Sequence, residues 1–585
     1  MLLEKIQSPK DVKKLSLDQL NSLAQEARQA LMTKVATKGG HFGPPMGAAD
    51  MIIALHYVFN SPQDKIVYDV SHQSYVHKML TGRAQAFLDS NHYNDVTGYT
   101  DPNESEHDFF NIGHTSTSVS LATGLAKGRD LLGQDHNVIA LIGDGSLSGG
   151  EAFEGLDVAA TLGSNMIIIV NDNDQSIAEN QGGIYEGLRR LRETNGQGED
   201  NLFKAMGLDY RFVKEGNDIG TLIEAFQEVK DIDHPIVLHV ATQKGKGYAL
   251  AEEKANHERY HYMMPFDLET GEFTSISEGK PYASIIADYL GKAIQEDPSV
   301  VALVAGTPSG FFSPTWREAA GSQYVDVGIA EEQAVAMISG LAKAGAKPVF
   351  SVYSTFLQRT FDQLVQDLCV NSNGAVILNH MASVYGMNDV THLGFFDIPM
   401  TAGIPNLVYL APTNQEELLA MLDWAMKQDQ HPVMIRIPVD QVQSCGYADT
   451  TDYSQLNTFQ VTKKGSRVAL IGLGNFYRRA CELADQLTQE GIEATLINPK
   501  FISSIDKALL ESLKDDHQLV VTLEDGILDG GFGQRIASFY GPSDMKVKNY
   551  GIRKAFHDRY DPDQLLADDG CTVPQMLADI KKLLL

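Results

Sequence analysis

Little in this chain points to thiolate or disulfide chemistry. Only four cysteines occur in 585 residues, Cys369, Cys445, Cys481 and Cys571. They lie far apart with no CxxC pair, which excludes a zinc-thiolate site and a disulfide framework and points to a reducing compartment. Basic residues are also scarce: 47 Lys plus Arg stand against 76 Asp plus Glu, a formal charge of -29. Such a surface repels nucleic acid and anionic membrane, so neither is expected as a partner. No apolar run approaches the roughly 20 residues that cross a bilayer. The opening MLLEKIQSPKDVKK is interrupted by charge from Glu4 onward, unlike a secretory signal. The expectation is a soluble cytoplasmic protein. Short repeats and low-complexity tracts are missing too. What is present is ordinary globular composition, 43% hydrophobic and 21% charged, in a chain long enough for several domains.

Strand-like apolar runs alternate with helix-period segments, the pattern of α/β layering on parallel sheets. A first block holds VIALI (138–142), MIIIV (166–170) and PIVLHVAT (235–242), and gives way to a polar linker, DLETGEFTSISEGK (267–280). A second block carries VALVAG (301–306), YVDVG (324–328), KPVFSVY (347–353) and AVILN (375–379), followed by a second linker at CGYADTTDYSQLN (445–457). The third has RVALIG, ATLIN and LVVTLED. Three α/β domains with doubly wound parallel sheets are expected, over residues 1–270, 280–445 and 456–585.

Several familiar motifs dissolve on inspection. His257-Glu258-Arg259-Tyr260-His261 spells HExxH, but Pro265 follows closely and no third zinc ligand is evident. Gly472-Leu473-Gly474 has Tyr477 where a dinucleotide fingerprint needs its third glycine. Lys244-Gly-Lys-Gly-Tyr248 lacks P-loop spacing, and the GSLSG segment flanks Leu147 with its serines, so it is not a nucleophile elbow.

The loop GDGSLSGG (143–150) poses a different problem. It follows a buried strand, where glycine-rich loops receive phosphates, yet it carries Asp144 and no lysine. An acidic protein that binds an anion there needs compensation from a metal, helix ends or a few placed basic groups. The next residues, EAFEGLDVAATL, put Ala152, Phe153, Leu156, Ala159 and Ala160 on one helical stripe, and MIIIV then ends in Asn171-Asp-Asn-Asp174. A right-handed βαβ crossover brings both strand ends to one sheet edge, where open α/β folds bind ligands. Asp144 and Asn173, 29 positions apart, can converge there on one hard cation. Carboxylate and amide oxygens suit Mg²⁺ or Ca²⁺, not zinc, and Mg²⁺ keeps open positions for phosphate oxygens.

GDG followed about thirty residues later by an asparagine is the thiamine diphosphate and Mg²⁺ fingerprint. The chain as a whole resembles the 1-deoxy-D-xylulose-5-phosphate synthases, relatives of transketolase. The resemblance is carried by GGHFG (39–43), HQSYVHK (72–78), LTGR (80–83), ESEHD (104–108), GHTSTS (113–118), NDNDQSI (171–177), KGKGY (244–248), IAEEQA (329–334) and YSTFLQR (353–359). It implies a homodimer of transketolase-like thiamine-binding fold. Asp144, Asn173 and the carbonyl of Gln175 would hold Mg²⁺. Gly113, His114, Thr115, Gly145 and Ser146 would contact the cofactor, chiefly its diphosphate, with His72 and Tyr248 at further cofactor positions. Glu331 matches the glutamate that bonds N1′ of the aminopyrimidine, and Phe356 the aromatic residue on which that ring stacks. His41, His72, His261 and His392 become acid/base and substrate hydrogen-bonding groups, with Arg359 beside them. The implied reaction decarboxylates pyruvate and joins the two-carbon unit to an aldehyde, glyceraldehyde 3-phosphate in the family.

The sequence departs from the family at the acceptor. Met381 stands where an arginine of a D-R-A-G-like turn is usual, and Val439 replaces another after an R-Y-P segment; both arginines are expected to grip the acceptor phosphate. Neither Met nor Val replaces a bidentate guanidinium. Asn388 takes the place of an aspartate, though Asp389 is adjacent, and Gln333 that of a histidine. Pro44-Pro45 leans toward transketolase, and the stretch 176–207 is shorter than is usual. Two alternatives stay open: a transketolase-like or carboligating enzyme with another donor or an unphosphorylated acceptor, and a cofactor-binding homologue without turnover.

Overall fold

The computed structural model describes residues 1–274, 281–439 and 441–585. The second half of the expected first linker, 275–280, lies outside them. The chain divides into two compact units. One holds residues 1–274 with the short stretches 306–309 and 328–330, and the other holds the remaining described residues.

The first unit contains β1 (Gly40–His41), β2 (Lys65–Tyr68), β3 (Val138–Gly143), β4 (Met166–Asp172), β5 (Asp209–Val213), β6 (Pro235–Ala241) and β7 (Tyr262–Met263). Five of them form a wholly parallel sheet in the order β2-β3-β4-β6-β5, while β1 and β7 pair as a two-residue antiparallel ribbon. Every residue of β4 is buried. Parallel strands covered on both faces read as unbroken apolar runs, which explains MIIIV. Alternation then divides the side chains: Ile139, Leu141, Ile167 and Ile169 join one core, while Ala140, Ile142, Ile168 and Val170 join the core on the opposite face. The helix after β3 spans Gly150–Ala160 and buries Ala152, Gly155, Leu156 and Ala159. Phe153 and Ala160, placed on the same stripe from sequence, are only half-buried.

In the second unit, β8 (Val300–Val304), β9 (Tyr324–Asp326), β10 (Lys347–Tyr353), β11 (Val376–His380), β12 (Val408–Leu410) and β13 (Val433–Arg436) make a parallel sheet ordered β12-β13-β11-β10-β8-β9. A third sheet is built from β14 (Gln460–Lys463), β15 (Arg467–Gly472), β16 (Thr495–Asn498), β17 (His517–Ile527) and β18 (Lys546–Ile552), ordered β14-β16-β15-β17-β18. It is not wholly parallel, because β14 runs antiparallel to β16. That strand is short and half-exposed at the sheet edge, where no crossover helix is needed to bring it in. Gly474, at a φ of 51°, turns β15 directly into the helix Phe476–Gln489. The GLG motif is thus a strand-to-helix turn. Among the described residues, no helix is long and apolar enough to cross a membrane.

A buried ionic network ties the second unit together. Arg436, at the end of β13, donates Nε to Asp397 at 2.8 Å and pairs through Nη1 with Asp525 of β17. Asp525 also accepts from Ser383 at 2.5 Å and Asn475 at 2.9 Å, and Asp397 accepts from the Tyr409 hydroxyl. All three charged side chains are at most 2% exposed. Removing one partner of a buried pair strands the other, whereas the intact pair contributes little net stability. Arg436→Ala is therefore expected to destabilise the second unit by about 3–5 kcal/mol, read as earlier loss of structure in urea. A midpoint matching the wild type would show that the two aspartates do not depend on the guanidinium.

Candidate active site

The parallel register sets Gly143 of β3 opposite Asn171 of β4, so the loops that follow leave from one sheet edge. Asp144, 1% exposed, accepts from Gln175 N–H at 3.1 Å and from the Asn180 amide at 2.6 Å, and its other oxygen lies 3.5 Å from Asn173 N. Burial, reinforced by the nearby Asp172 charge, raises its pKa well above the usual carboxylate value. Asn173 Oδ1 and Asn180 Oδ1 are buried without a hydrogen-bond partner among the described residues. A costly carboxylate beside orphaned amide oxygens is a donor set that fits a small hard cation. No cluster of three or more His, Cys, Asp or Glu among the described residues could hold a metal, so such an ion would depend on amide and carbonyl oxygens next to Asp144. The HExxH segment forms turns, not a helix, and His257 Nε2 faces the Glu252 carbonyl at 3.3 Å.

Next to this edge, the loop carrying Gly113, His114 and Thr115 is pinned by two groups that sequence reasoning missed. Asp69, directly after β2, accepts from Ser116 N–H at 2.8 Å and Ser118 N–H at 2.9 Å. Ser116, at a φ of 73°, donates Oγ to the Ser146 carbonyl at 2.7 Å, joining the two loops. A Cβ on Gly149 would lie 2.2 Å from Ser116 Oγ, and one on Gly145 would lie 3.0 Å from Ser176 Cβ. Glycine is required there because the loops touch.

The structure gathers His41, His72 and His261, which are scattered in sequence. Their ring centroids are 4.8 Å (41–72), 5.6 Å (41–261) and 5.6 Å (72–261) apart. The ribbon achieves this by pairing His41 with Tyr262, the neighbour of His261. Burial holds the His261 pKa well below its ordinary value, and Lys244 and the other two imidazoles add to the effect. Lys244 itself is buried, donates to the Ser176 carbonyl at 2.7 Å, and is pushed down to about 7 by burial. Tyr248 lies among Phe42, Tyr260 and Phe266, with its hydroxyl on the Leu268 carbonyl at 3.0 Å.

In the second unit the ends of β9, β10, β11 and β13 supply the groups of interest. Glu331 opens the helix Glu331–Lys343 after β9 and is 3% exposed. Its Oε2 has no hydrogen-bond partner among the described residues and lies 3.9 Å from Arg359. Burial pushes its pKa up to about 7 against the opposing pull of Arg359. Phe356, in the helix Ser354–Leu357 after β10, stands edge-on to His392 at 5.7 Å. His392 meets the Thr391 hydroxyl at 2.8 Å and is pushed down to about 4 by burial. His380, the last residue of β11, was overlooked in the sequence. It packs on Phe311 at 4.4 Å, and its Nε2 is buried and unpaired among the described residues.

Comparison with known proteins identifies the family. A family model described as 1-deoxy-D-xylulose-5-phosphate synthase matches residues 3–199, the transketolase pyrimidine-binding domain matches 278–443, and the transketolase C-terminal domain matches 457–576. Curated proteins named 1-deoxy-D-xylulose-5-phosphate synthase match end to end. That of Carboxydothermus hydrogenoformans is 35% identical and covers 100% of this chain and 99% of its own. That of Symbiobacterium thermophilum is 36% identical, covering 98% and 93%. The chain belongs to the 1-deoxy-D-xylulose-5-phosphate synthase family. Among solved structures, a transketolase from Campylobacter jejuni covers 96% of this chain and 99% of its own at 16% identity, with a TM-score of 0.45.

Within this synthase family the departures take structural form. Met381 adopts a φ of 58°, and its carbonyl would lie 2.5 Å and 2.2 Å from a Cβ on Gly386 and Gly394. The turn is therefore tightly closed around the substituted position. Asn388 is committed to the Tyr560 carbonyl at 2.9 Å, while Asp389 caps Thr391. Gln333 points outward, and Pro44 and Pro45 are buried in the first turn of the helix Gly43–Val58.

The raised pKa of Glu331 has a definite sign. Folding favours its protonated form, so its contribution is complete below about 4.5 and is lost as pH rises through about 7. A shift of this size costs the ionised state about 3 kcal/mol. Glu331→Gln is expected to melt at higher temperature than wild type at pH 8, with little difference at pH 4.5. Glu524, also raised to about 7 by burial, keeps part of the dependence. An equal gain at both pH values would mean that Glu331 is not shifted.

Proposed function

We propose that this chain is a thiamine diphosphate- and Mg²⁺-dependent transferase that decarboxylates pyruvate and joins the resulting two-carbon unit to an aldehyde. Family membership supports the activity, and Glu331 is the observation that carries the chemistry: a buried carboxyl with one oxygen unpartnered among the described residues, its pKa pushed up to about 7 by burial. Bound thiamine diphosphate supplies the electron sink for decarboxylation and carbon–carbon bond formation. Asp144, Asn173 and the Gln175 carbonyl would hold Mg²⁺. Gly113, His114, Thr115, Gly145 and Ser146 would receive the diphosphate, with Tyr248 contributing at its edge. Glu331 Oε2 would hold the proton shared with the aminopyrimidine, against which Phe356 packs.

His41, His72 and His261 would hydrogen-bond the reacting oxygens. Burial keeps His261 and His392 uncharged at neutral pH, so they act as neutral donors or acceptors. Arg359, 3.9 Å from Glu331, brings a positive charge near that carboxyl. The same reading takes the protein as a cytoplasmic homodimer, in keeping with its four free cysteines.

Arg436 favours an acceptor without a phosphate. It is the arginine nearest in sequence to Val439, and Asp397 and Asp525 already neutralise it. A phosphate would have to displace two buried carboxylates to reach it. With Met381 and Val439 uncharged, an unphosphorylated aldehyde fits these positions better than glyceraldehyde 3-phosphate.

Supplying pyruvate, Mg²⁺ and thiamine diphosphate with plain and phosphorylated aldehydes, and identifying products by mass spectrometry, tests both statements. CO₂ release from pyruvate is expected, with D-glyceraldehyde consumed in preference to its 3-phosphate. Efficient formation of deoxyxylulose phosphate would return the acceptor to the family's usual one, and no CO₂ from any 2-oxo acid would leave a binding protein without turnover. Glu331→Ala should abolish CO₂ release while Mg²⁺-dependent cofactor binding persists. Full activity in that variant would sink the assignment of Glu331.

A further inference from the structure

Two side chains of the helix Gly183–Glu193 reach the two loops that bear the oxygen donors. Tyr185 donates its hydroxyl to the Gly145 carbonyl at 3.0 Å, one residue beyond Asp144. Arg192, seven positions on and so on the same helical face, grips both neighbours of Asn173. Its Nη1 donates to Asp172 Oδ1 at 2.8 Å and Oδ2 at 2.6 Å, and its Nη2 to Asp174 Oδ1 at 2.6 Å.

The turn between those carboxylates is tight. Asp174 has a φ of 60°, and its N–H returns to Asp172 Oδ1 at 3.0 Å. Asp172 is buried and also meets His239 Nε2 at 2.7 Å, whose Nδ1 meets the Tyr210 hydroxyl at 2.8 Å. Asn173 therefore sits at the apex of a turn whose two flanks are fixed by one planar guanidinium. Arginine does this where lysine cannot, because its fork reaches both carboxylates in fixed geometry. The neighbouring Arg189 is half-exposed and pairs with the surface residues Glu186 and Glu193 of its own helix.

We propose that Arg192 is a positioning residue for the cation site: by bridging Asp172 and Asp174 it fixes the turn that presents Asn173 Oδ1, and Tyr185 ties the same helix to the Asp144 loop. This rests on the reading of Asp144 and Asn173 as Mg²⁺ ligands. Two effects of removing Arg192 oppose each other. Loss of a positive charge beside three carboxylates would draw Mg²⁺ more strongly, while loss of the bridge would misplace a ligand. Groups that orient metal ligands are worth roughly 10–100-fold in metal affinity, and the guanidinium is already neutralised by its two carboxylates, so positioning wins.

The test is calorimetric titration of Mg²⁺ into the full-length protein with saturating thiamine diphosphate, alongside thermal melts of the cofactor-free protein. Arg192→Ala is expected to weaken Mg²⁺ by about tenfold or more. Arg192→Lys, which keeps the charge and loses the fork, should weaken it as well, and Tyr185→Phe should do so to a lesser extent. Should Arg192→Ala fail to fold, the two conservative variants decide. Mg²⁺ affinity equal to wild type in folded Arg192→Lys and Tyr185→Phe, with only the melting temperature lowered, would make the helix a structural brace and overturn the proposal. Tighter binding in Arg192→Ala would overturn it in favour of simple charge. If the wild type itself bound no Mg²⁺ with thiamine diphosphate, the reading of Asp144 and Asn173 would fall first and the proposal with it.

Discussion

A carboxylate taken out of water at the end of a parallel strand is unstable unless charge or hydrogen bonds meet it. Asp144 sets that problem for the first unit. Its oxygens are met by two backbone N–H groups and the Asn180 amide, none of which carries a charge. The adjoining amide oxygens of Asn173 and Asn180 are left without partners among the described residues. The rest of the loop architecture follows from keeping this unbalanced group in place: Ser116 and Asp69 fix one side, and the helix Gly183–Glu193 the other. An incomplete balance of charge at a sheet edge is a mark of a site that expects a ligand.

The second unit shows the contrast within itself. Arg436, Asp397 and Asp525 are as deeply buried as Asp144, yet each finds an oppositely charged or hydroxyl partner. That network is complete and reads as structure. Glu331 is also buried, with one oxygen unpartnered among the described residues and Arg359 only at 3.9 Å. Here the pairing is loose, and burial pushes the pKa of the carboxyl up to about 7. Burial alone does not distinguish these groups; the completeness of their partners does.

Sequence showed the parts of this that are local. The runs VIALI and MIIIV read as strands because both faces of a parallel strand are covered, and the GDG and NDN loops could be linked because a βαβ unit has a fixed handedness. What it did not show is contact at long range or in very short elements. The ribbon that brings His41 to His261 has only two residues per strand, too few for any periodicity. Asp69 meets Ser116 across 47 positions with no shared motif. The polar edge strand Gln460–Lys463 lacks an apolar face to read. His380 was missed because the apolar run in β11 ends two residues earlier, at Leu378, and an imidazole after Asn379 looks like any strand terminus. Arg192 is one of three arginines in RRLR, and only the fold tells which of them turns inward.

The same distinction bears on the acceptor, where the family pattern and this chain part. An arginine that grips a phosphate must be uncommitted before the ligand arrives, or the ligand must outcompete its partner. Arg436 is committed twice over in a setting where separation would expose two buried carboxylates. Met381 closes a turn so tight that Gly386 and Gly394 could carry no side chain against its carbonyl. Substituting an arginine at 381 would restore the charge but not the freedom of the turn, whose left-handed φ any non-glycine residue adopts at a cost. The turn at Met381 is therefore constrained by its backbone as well as lacking a charge, and any group it faces meets both properties together.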